Sequence, residues 1–181
     1  MKKILIFLFA LSCIGIQAQE KKVYHFKRNE IKGNALLLVL GAGEVGYERL
    51  LNKESGVGAS LFMAYDRKIH QKFSFSPYYR EYFGRKAASG FFVEGFGMLN
   101  TNRIHGGYHN YYDSTGTLVS EYHESKRITD FALGFGMGGK WLTKRGFLFE
   151  INAGLGRNLF QHYYHQDKFV GKGGLTVGYR F

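Results

Sequence analysis

The stretch DFALGFGMGGKW, residues 130–141, alternates large apolar side chains with small or charged ones. The large residues occupy odd positions, which are Phe131, Leu133, Phe135, Met137 and Trp141, with Gly139 as the exception. Successive side chains of a β-strand point to opposite faces, so one face of this segment is apolar and the other is small or polar. The pattern predicts a strand with one side in lipid and the other in a crowded lumen.

The same alternation recurs along the chain. It is clear in residues 57–65 and 147–156, and at the C-terminus, where one face carries Leu175, Val177, Tyr179 and Phe181. Residues 73–83 and 91–100 are less regular, because Glu81 interrupts the apolar side of the first and both faces of the second are bulky. Bulges can reset strand register, so both segments are still predicted as strands.

Composition supports an all-β fold. The 181 residues include 25 Gly, 17 Phe and 13 Tyr but a single Pro. Beyond the N-terminus no uninterrupted apolar run reaches the length of about 18 residues that a membrane-spanning helix needs, so only a closed barrel could cross a bilayer. A soluble sandwich would also alternate. The glycine-rich polar faces and the aromatic residues near strand ends favour an eight-stranded antiparallel up-and-down transmembrane β-barrel.

Connection lengths alternate as an outer-membrane barrel requires. The short turns are residues 52–55, 85–88 and 143–146, and the longer loops are 66–71, 101–125 and 162–169. Short turns lie in the periplasm and long loops outside the cell. Seven strands are clear, the first at residues 44–51. The eighth is predicted at 34–40, joined through residues 41–43, and the alternative is one long kinked strand over both pieces.

The N-terminus predicts export. Lys2 and Lys3 precede the apolar run Ile4–Ile16, and Ala18 fits a signal-peptidase site. We therefore expect a signal peptide at 1–18, a periplasmic lead-in at 19–30 and an outer-membrane barrel at 31–181. The alternative is a lipoprotein acylated at Cys13. Since Cys13 is the single cysteine, the signal-peptide assignment leaves no disulfide in the mature chain.

The chain is basic, with a formal net charge of +11. Basic loops and turns keep a barrel's rims solvated and can attract the headgroups of anionic lipids. The chain has no run of about six like charges and no recognisable nucleic-acid-binding motif. Outer-membrane lipids are therefore expected partners, and nucleic acid is not.

The C-terminal Tyr179-Arg180-Phe181 and the glycine–aromatic strands resemble small outer-membrane barrels of the OmpA/OmpX type. A terminal aromatic residue with apolar residues at 175, 177 and 179 is similar to the signal read by the barrel-assembly machinery. Residues 46–49 (GYER), with Asn34 upstream, also resemble a family of small barrels common in Bacteroidota that has no assigned activity. The resemblance implies an outer-membrane location and the assembly machinery as a partner.

Charged residues fall on the inward faces of the predicted strands. They are Glu44, Glu48, Arg80, Glu94, Asp130, Lys140, Glu150 and Arg180. Charges in a narrow lumen are costly unless they pair, so we predict an ion-pair network that fills the barrel. The alternative is a path for ions, protons or small solutes. A wide pore is not expected, because eight strands leave room only for side chains.

The long loop between residues 101 and 125 is the predicted binding surface for a glycan or protein partner. Its candidate contacts are Arg103, Tyr108, Tyr111, Tyr112 and Tyr122. Exposed tyrosines supply adaptable contact area. The same loop region holds His105, His109 and His123, and a second loop holds His162 and His165. These histidines are predicted to be solvated, with metal binding as the alternative.

We predict a non-enzymatic outer-membrane barrel with a structural or surface-interaction role and no cofactor. A lipid-modifying enzyme is an alternative, because His123-Glu124-Ser125 contains suitable residue types. Adjacent side chains on a strand face opposite ways, so Glu124 is poorly placed to orient His123.

Overall fold

The computed structural model describes residues 27–104, 106–112, 115–116, 118–123, 125–160 and 168–181. Its elements, in chain order, are β1 (Asn29–Asn34), α1 (Ala35–Leu40), β2 (Ala42–Leu50), β3 (Ser55–Ala64), β4 (Gln71–Tyr82), β5 (Gly90–Ile104), β6 (Gly107–Tyr112), β7 (Leu118–His123), β8 (Lys126–Leu142), β9 (Phe147–Asn158) and β10 (Phe169–Arg180). In the described ranges, no helix has the length and apolar character needed to cross a membrane.

Eight of the strands close into one antiparallel barrel in the order β1-β10-β9-β8-β5-β4-β3-β2. The remaining two, β6 and β7, pair as a separate ribbon within the connection from β5 to β8. The all-β prediction of an eight-stranded up-and-down barrel is confirmed. The signal peptide and most of the lead-in lie outside the described residues.

The prediction of a strand over residues 34–40 is wrong, because residues 35–40 form the helix α1. The side chain of Asn34 accepts a hydrogen bond from Leu37 N–H, which caps the helix at its N-terminus. Gly41 ends it in a left-handed conformation (φ 102°) and donates its N–H to the carbonyl of Leu37. An apolar run without alternation does not distinguish a strand from a helix.

The eighth strand is β1, which begins at Asn29 and so takes the last two residues of the expected lead-in. Glu30, Lys32 and Asn34 face the lumen and are buried, whereas Ile31 faces outward and is exposed. The charged residues resemble a polar lead-in when the sequence is read alone. They are instead the inward face of a strand.

The two ends of the barrel differ, and we call them the turn end and the loop end. The turn end holds Asn29, Phe181 and the connections β2–β3, β4–β5 and β8–β9. The loop end holds the connections β1–β2, β3–β4, β5–β8 and β9–β10. The prediction of short connections at the turn end holds for residues 51–54 and 143–146, and that of long ones at the loop end holds for residues 105–125 and 159–168. It fails at the β4–β5 connection (residues 83–89), which is longer than the β3–β4 connection (residues 65–70). The first connection at the loop end is α1.

The two faces of the wall have opposite character. Outward residues are large, apolar and exposed, such as Phe135 with 82% of its surface accessible. The two irregular segments have bulky inward faces, because Tyr78, Arg80 and Tyr82 of β4 and Phe92 of β5 are buried in the lumen. Glu81 is an exception to the apolar outer face, and its Oε2 accepts a hydrogen bond from the hydroxyl of the outward Tyr79 at 2.8 Å. The described wall has a register irregularity between Gln71 and Phe73. The pairing of β5 with β8 is continuous, so the bulky inward residues of β5 fill the lumen without a bulge in that ladder.

Candidate functional site

The lumen near the turn end contains nine charged side chains, each less than a tenth exposed. The acids are Glu30, Glu48, Glu94 and Glu150, and the bases are Lys32, Arg80, Lys140, Lys172 and Arg180. They come from seven of the eight wall strands. The network therefore ties together most of the circumference of the barrel.

The layer nearest the turn end is built on Glu30. Its Oε1 lies 2.6 Å from Nη2 of Arg180, and its Oε2 lies 2.7 Å from Nζ of Lys140. Arg180 also donates to the carbonyls of Ala87 and Ala88 at 2.8 and 2.7 Å. Ala88 is fully buried, so the β4–β5 turn is folded into this mouth of the barrel and held there by Arg180.

Glu48 is the centre of the next layer and has no exposed surface. It accepts hydrogen bonds from Lys32 and from the hydroxyls of Tyr78 and Tyr82. Nη1 of Arg80 lies 3.2 Å from its Oε2. A buried carboxylate needs several charged or polar donors to offset its lost hydration, and here they are supplied by β1 and β4.

Arg80 connects this centre to two further acids. Its Nε lies 2.7 Å from Glu94 Oε2, and its Nη1 lies 2.9 Å from Glu150 Oε2. The guanidinium is 4.5 Å from the ring centre of Tyr78 and 4.2 Å from that of Phe92. A planar guanidinium can form hydrogen bonds in its plane and stack on aromatic rings, so Arg80 fills the barrel as well as neutralising it.

Lys172 lies on the loop-end side of this network. Its Nζ is 3.1 Å from Glu94 Oε1 and 4.4 Å from the ring centre of Tyr78. The distance to Glu94 is that of an ion pair, but the pair does not have the alignment of a hydrogen bond. Beside it a cavity of about 30 Å³, lined also by Asn34 and Thr176, has room for about two water molecules.

The structure brings six of the eight predicted lumen charges into the network, namely Glu48, Arg80, Glu94, Lys140, Glu150 and Arg180. The other two lie apart from it. Glu44 is half-buried and accepts from Asn34 Nδ2 at 2.8 Å, and Asp130 is buried near the loop end, where it accepts the N–H groups of Phe131 and Phe160.

Sequence reasoning missed Glu30, Lys32 and Lys172. The first two alternate with Ile31 and could have been found by extending the strand pattern towards the N-terminus. Lys172 stands among Gly171, Gly173 and Gly174. Glycine on both faces gives no contrast, so alternation does not reveal that Lys172 points inward.

The predicted loop surface is partly described. Tyr112 and Tyr122 lie on the β6–β7 ribbon with 73% and 59% of their surface exposed, and Arg103 lies near the end of β5. Tyr108 and Tyr111 are on β6, but their side chains, and those of His109 and His123, lie outside the described part. His105, Glu124, His162 and His165 also lie outside it. Ser125 Oγ accepts from Gly106 N–H at 3.1 Å.

The residues of the predicted assembly signal lie on the outer face of β10 and at the chain end. Leu175, Val177, Tyr179 and Phe181 are all at least a third exposed. The ring of Tyr179 meets that of Phe147 on β9 in an edge-to-face contact at 5.5 Å. These residues are free to contact lipid or another protein along the seam between the last strand and the first.

No protein-family model matches this chain, and no curated protein matches its sequence. The resemblance to a Bacteroidota barrel family is therefore unsupported. A solved structure does match, that of the N-terminal β-barrel domain of OprF from Pseudomonas aeruginosa. The match has a TM-score of 0.55 and 16% sequence identity, and covers 86% of this chain and 98% of the other. The chain is an eight-stranded antiparallel barrel similar in fold to the OprF N-terminal domain.

Proposed function

We propose that this protein is an outer-membrane barrel whose lumen is closed by ion pairs and whose role is structural or interactive, through its loop end. It is not an enzyme in this proposal. The observation that carries it is the combination of an apolar outer wall with an interior largely filled by paired charged side chains. Membrane barrels have this inside-out distribution, and water-soluble domains have the reverse.

The apolar outer wall supports the membrane location. Large outward residues continue around the barrel, among them Ile31, Val45, Leu61, Phe75, Leu99, Phe135, Phe149, Leu155, Leu175 and Val177. Exposing apolar surface to water costs about 25 cal/mol per Å². Contiguous apolar patches on soluble monomers rarely exceed a few hundred Å². Lipid is the environment that removes this cost from every strand at once.

The packed network supports a closed lumen. An eight-stranded barrel has an interior just wide enough for side chains. Here Arg80 and the rings of Tyr78 and Phe92 lie across it, with Glu48 and Glu150 at hydrogen-bond distance. Passage of an ion would require several of these buried pairs to separate together. This supports a structural or surface-interaction role over a narrow channel.

Gel mobility of the membrane fraction in SDS, with and without boiling, tests the membrane barrel. Closed membrane barrels keep their fold in cold SDS, so we expect the unboiled protein to run faster than the boiled one. The control is a truncation that removes β10 and cannot close. Recovery of the full chain in the soluble fraction, with no shift on boiling, would contradict the membrane proposal.

Conductance across planar bilayers tests the closed lumen. We expect no discrete current steps from the wild-type protein. Arg80→Ala, which removes the guanidinium between the two rings, is the variant expected to conduct, and Arg145→Ala in the exposed β8–β9 turn is its matched control. Regular current steps from the wild-type protein would favour the narrow channel.

A further inference from the structure

We infer that the outer wall at the loop end binds the phosphate of lipid headgroups, through Arg103 of β5 and Arg127 of β8. This inference rests on the proposed membrane location. The two arginines are direct partners across the β5–β8 ladder. Like charges directly opposite each other destabilise a sheet. Neither side chain forms an ion pair with an acid among the side chains that the structure describes, so the pair has no counter-charge from this part of the protein.

The residues below the pair place it at the edge of the apolar band. Outward on β5 are Leu99, Thr101 and then Arg103, and outward on β8 are Phe131, Thr129 and then Arg127. The hydroxyls of Thr101 and Thr129 are 3.0 Å apart and hydrogen-bonded. Towards the loop end, both strands therefore pass from apolar side chains to hydroxyls and then to cations. The same order of polarity is found between acyl chains and headgroups in a bilayer.

The length of β8 places the transition from apolar to cationic side chains at the height expected for lipid headgroups. The outward residues of β8 from Trp141 to Phe131 are apolar throughout. With about 3.3 Å per residue and a tilt of about 40°, this stretch rises about 25 Å. That equals the height of the apolar band of an outer-membrane barrel, about 25 Å. Arg127 lies four residues beyond Phe131 and so stands about 10 Å above the band, at the level of lipid headgroups.

Neighbouring loop residues add positive charge. The backbone N–H of Arg103 donates to the carbonyl of His70 at 2.9 Å, which joins β5 to the β3–β4 connection. That connection carries Arg67 and Lys68, both exposed. Its acid, Asp66, is half-buried and accepts the N–H of Lys68. The β3–β4 connection beside the arginine pair is therefore basic, and it has no exposed carboxylate among its described residues.

The chemistry of the pair suits a phosphate. Directly opposite residues of an antiparallel pair have Cβ atoms about 5 Å apart, so two guanidinium groups can contact one phosphate from both sides. Each guanidinium can donate two parallel hydrogen bonds to phosphate oxygens. Binding would also remove the repulsion between the two arginines. A headgroup phosphate and free inorganic phosphate share this chemistry, and the position beside the apolar band favours the lipid.

The test uses the full chain folded into phosphatidylcholine vesicles, with labelled phosphatidic acid as the probe lipid. We expect phosphatidic acid to be enriched around the wild-type protein. Arg103→Gln/Arg127→Gln should weaken its association about fivefold for each arginine removed. Arg103→Lys/Arg127→Lys, which keeps the charge but loses the planar donors, should weaken it less. The matched control is Lys144→Gln/Arg145→Gln, which removes two charges at the turn end.

A second measurement is the difference in unfolding temperature between the glutamine double variant and wild type. Its sign should depend on the lipid, which separates an effect on binding from an effect on folding. In phosphatidylcholine alone the glutamine double variant should unfold at a higher temperature than wild type, because the repulsion is gone. In vesicles with phosphatidic acid the order should reverse. Equal association of the probe with wild type and the glutamine variant would overturn the inference, as would an equal loss in the turn-end control.

The remaining outcomes distinguish the lipid from other sources and from a failure of the proposed function. Displacement of phosphatidic acid by millimolar inorganic phosphate would overturn the lipid assignment in favour of free phosphate. A wild-type chain that inserts and shifts on boiling but does not enrich phosphatidic acid overturns this inference alone. A chain that does not insert overturns the membrane proposal as well.

Discussion

At the residue scale, the lumen network converges on Glu48, which contacts Lys32, Arg80 and Lys140 and is fully buried. Removing one partner from a buried ion pair leaves an uncompensated charge, whereas removing both can be neutral. The contribution of Glu48 therefore depends on its partners. A single substitution at Glu48 measures the free-energy cost of leaving those cations buried without this carboxylate.

Glu48→Gln keeps the size of the side chain and removes its charge. We expect the free energy of unfolding to fall by about 3–5 kcal/mol, because three buried cations then share fewer carboxylates. Urea unfolding in detergent micelles measures this. The control, Glu54→Gln in the exposed β2–β3 turn, should change it by less than about 0.5 kcal/mol. Glu48→Gln/Lys140→Met should recover part of the loss. A single variant as stable as wild type would contradict the central role of Glu48.

Alternation in the sequence was sufficient to place Glu48 in the lumen, but it did not identify its partners. The pairs join residues far apart, such as Lys32 and Glu150, which are 118 positions apart. Which charges meet depends on the register of every intervening strand, and a shift of one residue turns a side chain to the other face. Single-strand periodicity contains no information about that register.

At the scale of elements, α1 stands where β1 is too short to span the wall. The six residues of β1 rise about 15 Å at a tilt of about 40°, which is less than the apolar band of about 25 Å. A six-residue helix adds up to about 9 Å. Leu36, Leu38 and Val39 are exposed, and Val39 has 86% of its surface accessible. The caps at Asn34 and Gly41 and the hydroxyl of Tyr65, which donates to the carbonyl of Leu38, satisfy some of the backbone groups that so short a helix leaves open, and this helps α1 to lie against lipid.

We therefore expect α1 to contact acyl chains. In a Trp141→Phe background, Val39→Trp should be quenched by brominated acyl chains about as strongly as Phe135→Trp, which marks the middle of the band. Lys68→Trp in the β3–β4 connection marks the aqueous side and should not be quenched. Fluorescence of the three variants in brominated vesicles measures this. If Val39→Trp behaves like Lys68→Trp, the helix lies in water.

Helix α1 shows where the alternation of side chains between two strand faces no longer predicts the secondary structure. Six consecutive apolar residues from Ala35 to Leu40 fit either a buried strand or a helix, and the sequence interpretation took the strand. The signals for a helix were present, because Asn34 is a good N-cap and Gly41 a good C-terminal cap. The strand prediction rests on the even number of strands that a barrel needs and does not take these caps into account.

At the scale of the whole molecule, the barrel closes through one of its two shortest ladders, since β1 has five paired positions with β10 and five with β2. By comparison, β9 and β10 share eleven. Fewer backbone hydrogen bonds hold this seam, so the ion pairs of Glu30 with Arg180 and Lys140 carry more of its stability. The seam is where we expect the wall to open first.

A disulfide across the seam tests the closure directly. Gly33 faces Val177, and a Cβ at Gly33 would meet nothing closer than 3.9 Å. In a Cys13→Ser background, Gly33→Cys/Val177→Cys should oxidise readily and raise the free energy of unfolding by about 2–4 kcal/mol. Non-reducing gels and urea unfolding measure both effects. The offset pair Gly33→Cys/Tyr179→Cys is the control. Thiols that stay reduced in the matched pair would contradict this register.

The fold as a whole was the part most accessible from the sequence. The alternation of side chains along strands, the alternation of connection lengths and the glycine content each favour a barrel. At residues 130–141 the predicted and observed strand faces agree. The seam was not accessible, because the first two residues of β1 were assigned to the lead-in and the first predicted strand began at Asn34. Its partner β10 lies at the other end of the chain, and no local pattern links the two.

The pair between Glu30 and Arg180 joins residues 150 positions apart and has a consequence for the order of assembly. Until the sheet closes, one free edge carries an unmatched carboxylate and the other an unmatched guanidinium. A half-built sheet would have to keep both charges hydrated, which lipid cannot do. If the barrel lies in a membrane as proposed, partially inserted forms are thereby disfavoured, and we expect closing of the wall and neutralisation of the interior to occur together.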